Sequence, residues 1–133
     1  MSTVLLDIVT PDRSVFSGQV SMVIARGGDG DVGILPNHSP LVTTVKTSIV
    51  TIRREQGDVR VAVSGGFLEV QPKKISILAE AAELPEEIDA ERATRAKTRA
   101  EERLREKAEN LDYERATRAL ARALNRLDLA NGK

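Results

Sequence analysis

The chain changes its hydrophobic rhythm once, near Leu84-Pro85. Before that point apolar and polar residues alternate in short runs, as in Ser48-Ile49-Val50-Thr51-Ile52-Arg53, Val59-Arg60-Val61-Ala62-Val63 and Lys74-Ile75-Ser76-Ile77. A period of two is that of a strand with one face buried. Gln56-Gly57-Asp58 separates two of these runs as a hairpin turn would, and Pro11-Asp12, Asn37 to Pro40, Gly65-Gly66 and Pro72 mark further breaks. Many short strands with regular turns predict a sandwich or flattened barrel over residues 1–84.

After Pro85 the spacing becomes three and four. Ala93, Ala96, Ala100, Leu104, Ala108 and Leu111 trace one helix face. Pro85 suits a first helical turn, and Asp89 or a neighbouring acid suits its positive end. The pattern breaks at Asn110-Leu111-Asp112, where Asp112 can cap a second helix bearing Tyr113, Ala116, Leu120, Ala123, Leu124 and Leu127. A short connection predicts an antiparallel hairpin over residues 85–133. Its seam is mostly alanine, and each Ala side chain buries only about 0.8 kcal/mol of apolar surface. Helices of about 20 residues are marginal alone. A closely but weakly packed hairpin suits a switch; an ordinary stable helical appendage fits the same pattern.

Composition sharpens the boundary. Residues 1–84 hold 26 of the 30 Val, Ile and Thr residues, whereas residues 85–133 hold no Val and 23 charged residues among 49. β-branched side chains favour strands and Ala, Leu, Glu, Arg and Lys favour helices, so the fold class is α+β. The formal net charge is zero, from 20 basic and 20 acidic residues, which removes bulk attraction to nucleic acid. There is no Cys and one His, so neither a thiolate metal site nor a two-histidine mechanism is available. No apolar run approaches the roughly 18 residues of a membrane span, and no signal peptide precedes Leu5, so the expectation is a soluble cytosolic protein.

The strongest internal feature is a repeat. Glu91-Arg92-Ala93-Thr94-Arg95-Ala96 recurs as Glu114-Arg115-Ala116-Thr117-Arg118-Ala119, each copy preceded by an aliphatic residue and an aspartate (Ile88-Asp89, Leu111-Asp112). Arginines continue at matching spacing: Arg92, Arg95, Arg99, Arg103 in one copy and Arg115, Arg118, Arg122, Arg126 in the other. At about 100° per residue each set keeps to one narrow face. Like charges four apart destabilise a helix by a few tenths of a kcal/mol. Glu91 and Glu114 relieve Arg95 and Arg118, but no acid lies three or four residues from Arg122 or Arg126. Two such stripes flanking one groove suit an anion, and the planar fork of Arg suits phosphate. An acidic helix of a partner would serve equally, and a solvated charged face is the plain alternative.

Other motifs carry less. Gly28-Asp29-Gly30-Asp31-Val32-Gly33 has the dinucleotide spacing, but Pro36 and Pro40 follow and preclude the helix that would meet a pyrophosphate. A tight glycine-rich loop with an acidic tip is the better reading. Asp29 and Asp31 lack further carboxylates at calcium-loop spacing. His38 reads as a local hydrogen-bonding residue, and Ser64-Gly65-Gly66 has no other His to complete a triad. An independent enzyme or nucleic-acid binder is therefore the least supported class.

Two blocks carry a family likeness. Gly30-Asp31-Val32-Gly33-Ile34-Leu35-Pro36-Asn37-His38-Ser39-Pro40-Leu41 and Val63-Ser64-Gly65-Gly66-Phe67-Leu68-Glu69-Val70-Gln71-Pro72 resemble signatures of the epsilon subunit of bacterial F-type ATP synthases, and the likeness runs nearly end to end. It implies a β-sandwich of about ten strands, then a two-helix hairpin. It implies a non-catalytic subunit of the rotating stalk that binds the gamma subunit and the c-ring, sits peripherally on the cytoplasmic face of the bacterial plasma membrane through the complex, and inhibits ATP hydrolysis. In the inhibiting state the hairpin extends and its basic residues meet an acidic segment of the beta subunit. Members from thermophilic and related bacilli carry an ATP site marked by [Ile or Leu]-Asp-x-x-Arg-Ala, which Ile88-Asp89-Ala90-Glu91-Arg92-Ala93 matches. By resemblance Glu83, Ile88, Asp89, Arg92 and Ala93 hold the adenosine end, and Arg99, Arg122 and Arg126 the phosphates, with the need for magnesium open. Leu111-Asp112-Tyr113-Glu114-Arg115-Ala116 matches the same pattern; position within the family favours the first copy. Asp29, Asp31 and His38 fall where the family places its c-ring-facing surface.

Overall fold

The computed structural model describes residues 2–106 and 112–132. The chain divides into two compact units, Met1–Leu84 and Pro85–Lys133.

The first unit holds ten strands: β1 (Val4–Val9), β2 (Ser14–Val20), β3 (Met22–Gly27), β4 (Gly30–Ile34), β5 (Leu41–Val45), β6 (Ser48–Arg53), β7 (Val59–Val63), β8 (Gly66–Gln71), β9 (Lys74–Ala79) and β10 (Ala82–Glu83). They hydrogen-bond in the order β10-β7-β6-β3-β5-β8-β9-β1-β2, with β4 alongside β3. The path curls into a nearly closed sandwich. Its two end strands come together where Arg13, at the entrance to β2, donates from Nη2 to the Ala82 carbonyl of β10 at 3.2 Å. All pairings are antiparallel except β1 with β9.

Alternation places the core. Val4, Leu6 and Ile8 of β1, Val50 and Ile52 of β6, Leu68 and Val70 of β8, and Ile75 and Ile77 of β9 are all buried. Full burial of such a side chain contributes about 1.5–3 kcal/mol. Ser48 takes an inward position at the start of β6 and satisfies its hydroxyl by donating to the Lys46 carbonyl at 2.7 Å. On the outer face, Asp7 of β1 accepts from the Ser17 hydroxyl at 2.6 Å and pairs with Lys74 at 3.2 Å, which ties β2 and β9 to it. The Ser17 hydrogen bond, and then Lys74, hold the Asp7 carboxyl below the usual carboxylate range.

The Gly65-Gly66 break is steric. Both residues have positive φ, 73° and 139°, and a Cβ on Gly66 would collide with the Leu78 carbonyl oxygen on the paired strand. Ser64 donates its backbone N–H to the Ala81 carbonyl.

The second unit begins with a short 3-10 turn, Pro85–Glu87, then α1 (Ala90–Glu106) and α2 (Tyr113–Ala130). Pro85 therefore opens the 3-10 turn and not α1, because Asp89 is the residue that caps the helix. α1 and α2 form the antiparallel hairpin, and among the described residues its buried side chains are Ala93 and Ala100 on α1 and Ala116, Ala123 and Leu129 on α2. The expected seam positions Ala108 and Leu111, and the break at Asn110, lie outside the described residues. α2 runs past Leu127 and ends at Asn131-Gly132, where Gly132 takes φ 75° and donates to the Leu129 carbonyl at 3.1 Å.

Ile77→Ala is expected to cost about 2–5 kcal/mol, because a fully buried side chain leaves a cavity between β8 and β1. Val42→Ala, at a position 71% exposed, should change stability by under about 0.5 kcal/mol. Urea unfolding of the intact chain measures both.

Candidate functional site

The arginine stripes belong to the hairpin, and their placement starts from its caps. The Asp89 carboxylate accepts from the Arg92 backbone N–H at 3.0 Å, and the Asp112 carboxylate accepts from the Arg115 N–H at 3.0 Å. The Asp89 and Asp112 carbonyls accept from Ala93 and Ala116, again both at 3.0 Å. Each aspartate is thus an N-cap: its carboxylate closes one of the four open donors of a first helical turn, and its carbonyl takes the first intrahelical bond. In both copies the -Asp-x-x-Arg-Ala segment is a capped helix start whose final alanine is buried in the hairpin. That role explains why Asp stands three residues before Arg whether or not a ligand is present.

From these starts the helical period carries the arginines. On each helix the four arginines of the stripe span an arc of about 80°, roughly 100° around from the alanine seam and in the same rotational sense. Two antiparallel helices that face each other through equivalent seams turn equivalent flanks to the same side. Arg92, Arg95, Arg99 and Arg103 therefore share one face of the hairpin with Arg115, Arg118, Arg122 and Arg126. Arg95 and Arg118 reach back to Glu91 and Glu114 at 4.0 and 3.8 Å, as expected from their spacing. These exposed pairs contribute about 0.3–0.5 kcal/mol each. Arg92, Arg99, Arg103 and Arg115 are exposed, and Arg122 is half-buried; none of the five side chains has an ion pair or hydrogen bond among the described residues. Arg126 is half-buried as well. A row of guanidinium groups held at one face, with two of them partly desolvated, can take the oxygens of a polyanion bidentately.

The other expected ligands lie as follows. Ile88 is half-buried between the 3-10 turn and α1, and donates its N–H to the Pro85 carbonyl at 3.3 Å. Ala93 is buried in the hairpin, 3% exposed, so only its surroundings are open to a ligand. Glu83 belongs to the first unit, in β10, half-buried.

The glycine-rich segment is a tight β3–β4 turn with Gly27 opposite Gly30, and β4 follows it directly, so the dinucleotide motif is absent. Asp29 sits exposed at the tip, while Asp31 is held by Arg26 Nε at 3.2 Å. His38 follows the far end of β4, in the turn where its N–H meets the Leu35 carbonyl at 3.3 Å and Asn37 takes φ 65°. Its ring Nδ1 donates to the Ser39 carbonyl at 2.7 Å, the local role expected of it. Along β4 the acidic tip and the histidine turn are roughly 13 Å apart, so they are two places on the unit and not one cluster. Among the described residues no cluster of His, Cys, Asp or Glu could hold a metal, and no helix is long and apolar enough to cross a membrane.

Two features escaped the sequence pattern. In the sequence pattern Asp89 stands out only as a charge near a helix start, although an Asp just before a helical run is itself a cap signal. The Asn131-Gly132 stop lies beyond the apolar period, although Gly just after a periodic run marks a helix end.

Known proteins share this architecture. A family model described as "ATP synthase, Delta/Epsilon chain, beta-sandwich domain" matches residues 3–85, and "ATP synthase, Delta/Epsilon chain, long alpha-helix domain" matches residues 86–131. An ATP synthase epsilon chain of Bacillus subtilis is 51% identical over 98% of this chain and 98% of its own length. That of Alkalihalophilus pseudofirmus is 50% identical over 98% of both chains. In fold, a chain of the Euglena gracilis mitochondrial ATP synthase (OSCP/F1/c-ring) is similar with a TM-score of 0.82 at 23% identity, covering 97% of this chain and 81% of that one.

Asp89→Ala and Asp112→Ala should each weaken the hairpin by about 1 kcal/mol without any ligand, since each removes one cap of the same geometry. Amide exchange in α1 and α2 reads the two losses separately. A loss at Asp112 alone would mean that the first aspartate is not structural.

Proposed function

Because the chain belongs to the ATP synthase delta/epsilon chain family, we propose that it serves the central stalk of a bacterial proton-translocating ATP synthase, contacting the gamma subunit and the c-ring, and that its hairpin is an ATP-responsive brake on hydrolysis. Its close relatives are epsilon chains, so it is a subunit of the complex and not the catalytic one. The complex would hold it at the cytoplasmic face of the membrane, peripherally.

The observation that carries the ATP reading is the shared arginine face. ATP phosphates laid across α1 and α2 would neutralise like charges on both helices at once, through Arg99, Arg122 and Arg126. Binding that requires both helices side by side stabilises only the closed hairpin. At a ligand concentration 100 times the dissociation constant the bias is about 2.7 kcal/mol. The seam that ATP would reinforce is made mainly of alanine and contributes little per residue, so a bias of that size moves the balance. When ATP is scarce the hairpin would open, and the same arginines would engage an acidic segment of the beta subunit. Ile88, Asp89, Arg92 and Ala93 are the proposed adenosine contacts in the second unit, and Asp29, Asp31 and His38 the proposed c-ring contacts in the first. Magnesium would enter with the phosphates.

One observation favours a second reading, a rotor subunit whose hairpin inhibits without sensing ATP. Asp89 and Asp112 are engaged identically as caps, so the marker segment has a sufficient structural cause in both copies.

Titration calorimetry with ATP separates the two. The first reading expects one saturable site per chain, weakened at least tenfold in Arg122→Ala/Arg126→Ala because charge-assisted hydrogen bonds contribute about 1.5–3 kcal/mol each. No saturable binding leaves the second reading. In either case removing residues 85–133 should raise hydrolysis by the reconstituted complex; unchanged latency counts against the brake.

A further inference from the structure

Asparagine is a chemically labile side chain, most of all when glycine follows it. The next backbone nitrogen can attack the side-chain amide carbon, and any side chain on that next residue hinders the approach. Asn37, Asn110 and Asn125 precede His, Leu and Arg, so Asn131-Gly132 is the one Asn-Gly pair in the sequence. Both of its residues are exposed, just past the end of α2.

The fold holds this pair in an unreactive geometry in two ways. Ring closure requires the Gly132 nitrogen to swing to the Asn131 Cβ side of the backbone. Asn131 has φ −88° and ψ 4°, so that nitrogen eclipses the Asn131 backbone nitrogen instead. Attack also requires the Gly132 N–H to give up its proton, and this N–H donates to the Leu129 carbonyl at 3.1 Å. The Asn131 N–H is engaged as well, with the Leu127 carbonyl at 2.9 Å. These bonds close the last turn of α2, and Leu129, 3% exposed, anchors it. Both locks open together when that turn unwinds, and local opening of a helix end costs less than global unfolding.

We propose that Asn131-Gly132 is a self-modification site gated by the last turn of α2: it deamidates when the turn opens, and its products keep the turn open. In the open turn the Gly132 nitrogen gives its proton to water or hydroxide and bonds to Asn131 Cγ. The Cγ–Nδ2 bond breaks, and Nδ2 takes a proton from water and leaves as ammonia. A second water then opens the cyclic succinimide at either carbonyl, giving aspartate or isoaspartate with no change of oxidation state. Either product puts a carboxylate at the negative end of the α2 dipole, where negative charge is unfavourable. Isoaspartate also lengthens the main chain by one carbon before Gly132, which carries its N–H away from the Leu129 carbonyl. Opening therefore permits the reaction, and the reaction opposes reclosing. The site needs neither a nucleotide nor a partner, and the inference does not rest on the proposed anion role of the arginine face.

The test is mass spectrometry of proteolytic fragments of the full chain during incubation in mildly alkaline buffer. A peptide of residues 127–133, too short to hold a helix, is incubated beside it. The chain should deamidate at Asn131 ahead of Asn37, Asn110 and Asn125, and at least about tenfold more slowly than the peptide. Ala130→Gly, at an exposed position of the last turn, should speed the reaction about two- to fivefold by loosening the turn without touching a buried residue. Leu129→Ala should move the rate further toward that of the peptide, whereas Leu124→Ala, at a position of α2 that is 40% exposed, should leave it unchanged. Circular dichroism of each variant confirms the helices. In Asn131→Asp, amide exchange in the last turn of α2 should quicken while the sandwich keeps its protection. Equal rates in chain and peptide, faster loss at another asparagine, or no acceleration in Ala130→Gly overturns the gate. Unchanged exchange in Asn131→Asp overturns the one-way effect. Calorimetry with ATP is independent of all these readings, so failure of this site leaves the ATP brake standing, and the reverse holds.

Discussion

The switch proposed for the hairpin depends on the close approach that alanine allows. Interaxial distances between packed helices run about 8–10 Å, the smaller values going with small side chains. Ala93 and Ala100 on α1 and Ala116 and Ala123 on α2 are buried. Larger residues there would bury more area but drive the helices apart, and the two arginine stripes with them. Alanine gives the opposite balance: a narrow separation and a small burial energy. Close packing and weak packing have one cause here.

The same economy appears at the helix starts. The aspartate caps use a single carboxylate to close the first turn and set a negative charge at the positive end of the dipole. Two positions on, an acid pairs forward with an arginine four residues away, relieving part of the repulsion within each stripe. A capped start, an acid for the local arginine and an alanine for the seam are all written in one short segment. Duplicating it makes a hairpin with one basic face. A role in nucleotide recognition would be added to this architecture and not needed to explain it.

The sandwich stands in contrast. Its core is made of Leu, Ile and Val with near-zero exposure, and its open path is drawn together by Arg13 reaching the Ala82 carbonyl. Strand by strand it was legible, because alternation in Ser48 to Arg53 or Lys74 to Ile77 states which side faces inward. The order was not legible. β1 lies parallel to β9 across most of the unit, with Leu6 beside Ile75 and Ile8 beside Ile77, and nothing local to either run announces the other. Parallel pairing between distant segments is selected by the whole core, not by turn chemistry.

The candidate site divides the same way. Periodicity alone determined the two helices, the single face of each stripe and the Glu–Arg pairs, since these follow from 3.6 residues per turn within one segment. It also determined that no helix could follow the glycine-rich loop, because Pro36 and Pro40 forbid one. Only the folded hairpin decided that Asp89 is committed to its own backbone and that Ala93 is covered. Only the sheet decided that Asp31 is held by Arg26 and that β4 separates it from His38. Local rules act through covalent neighbours and can be read along the chain. Which groups are buried, paired or brought side by side depends on residues far away in sequence, and only the tertiary fold supplies them.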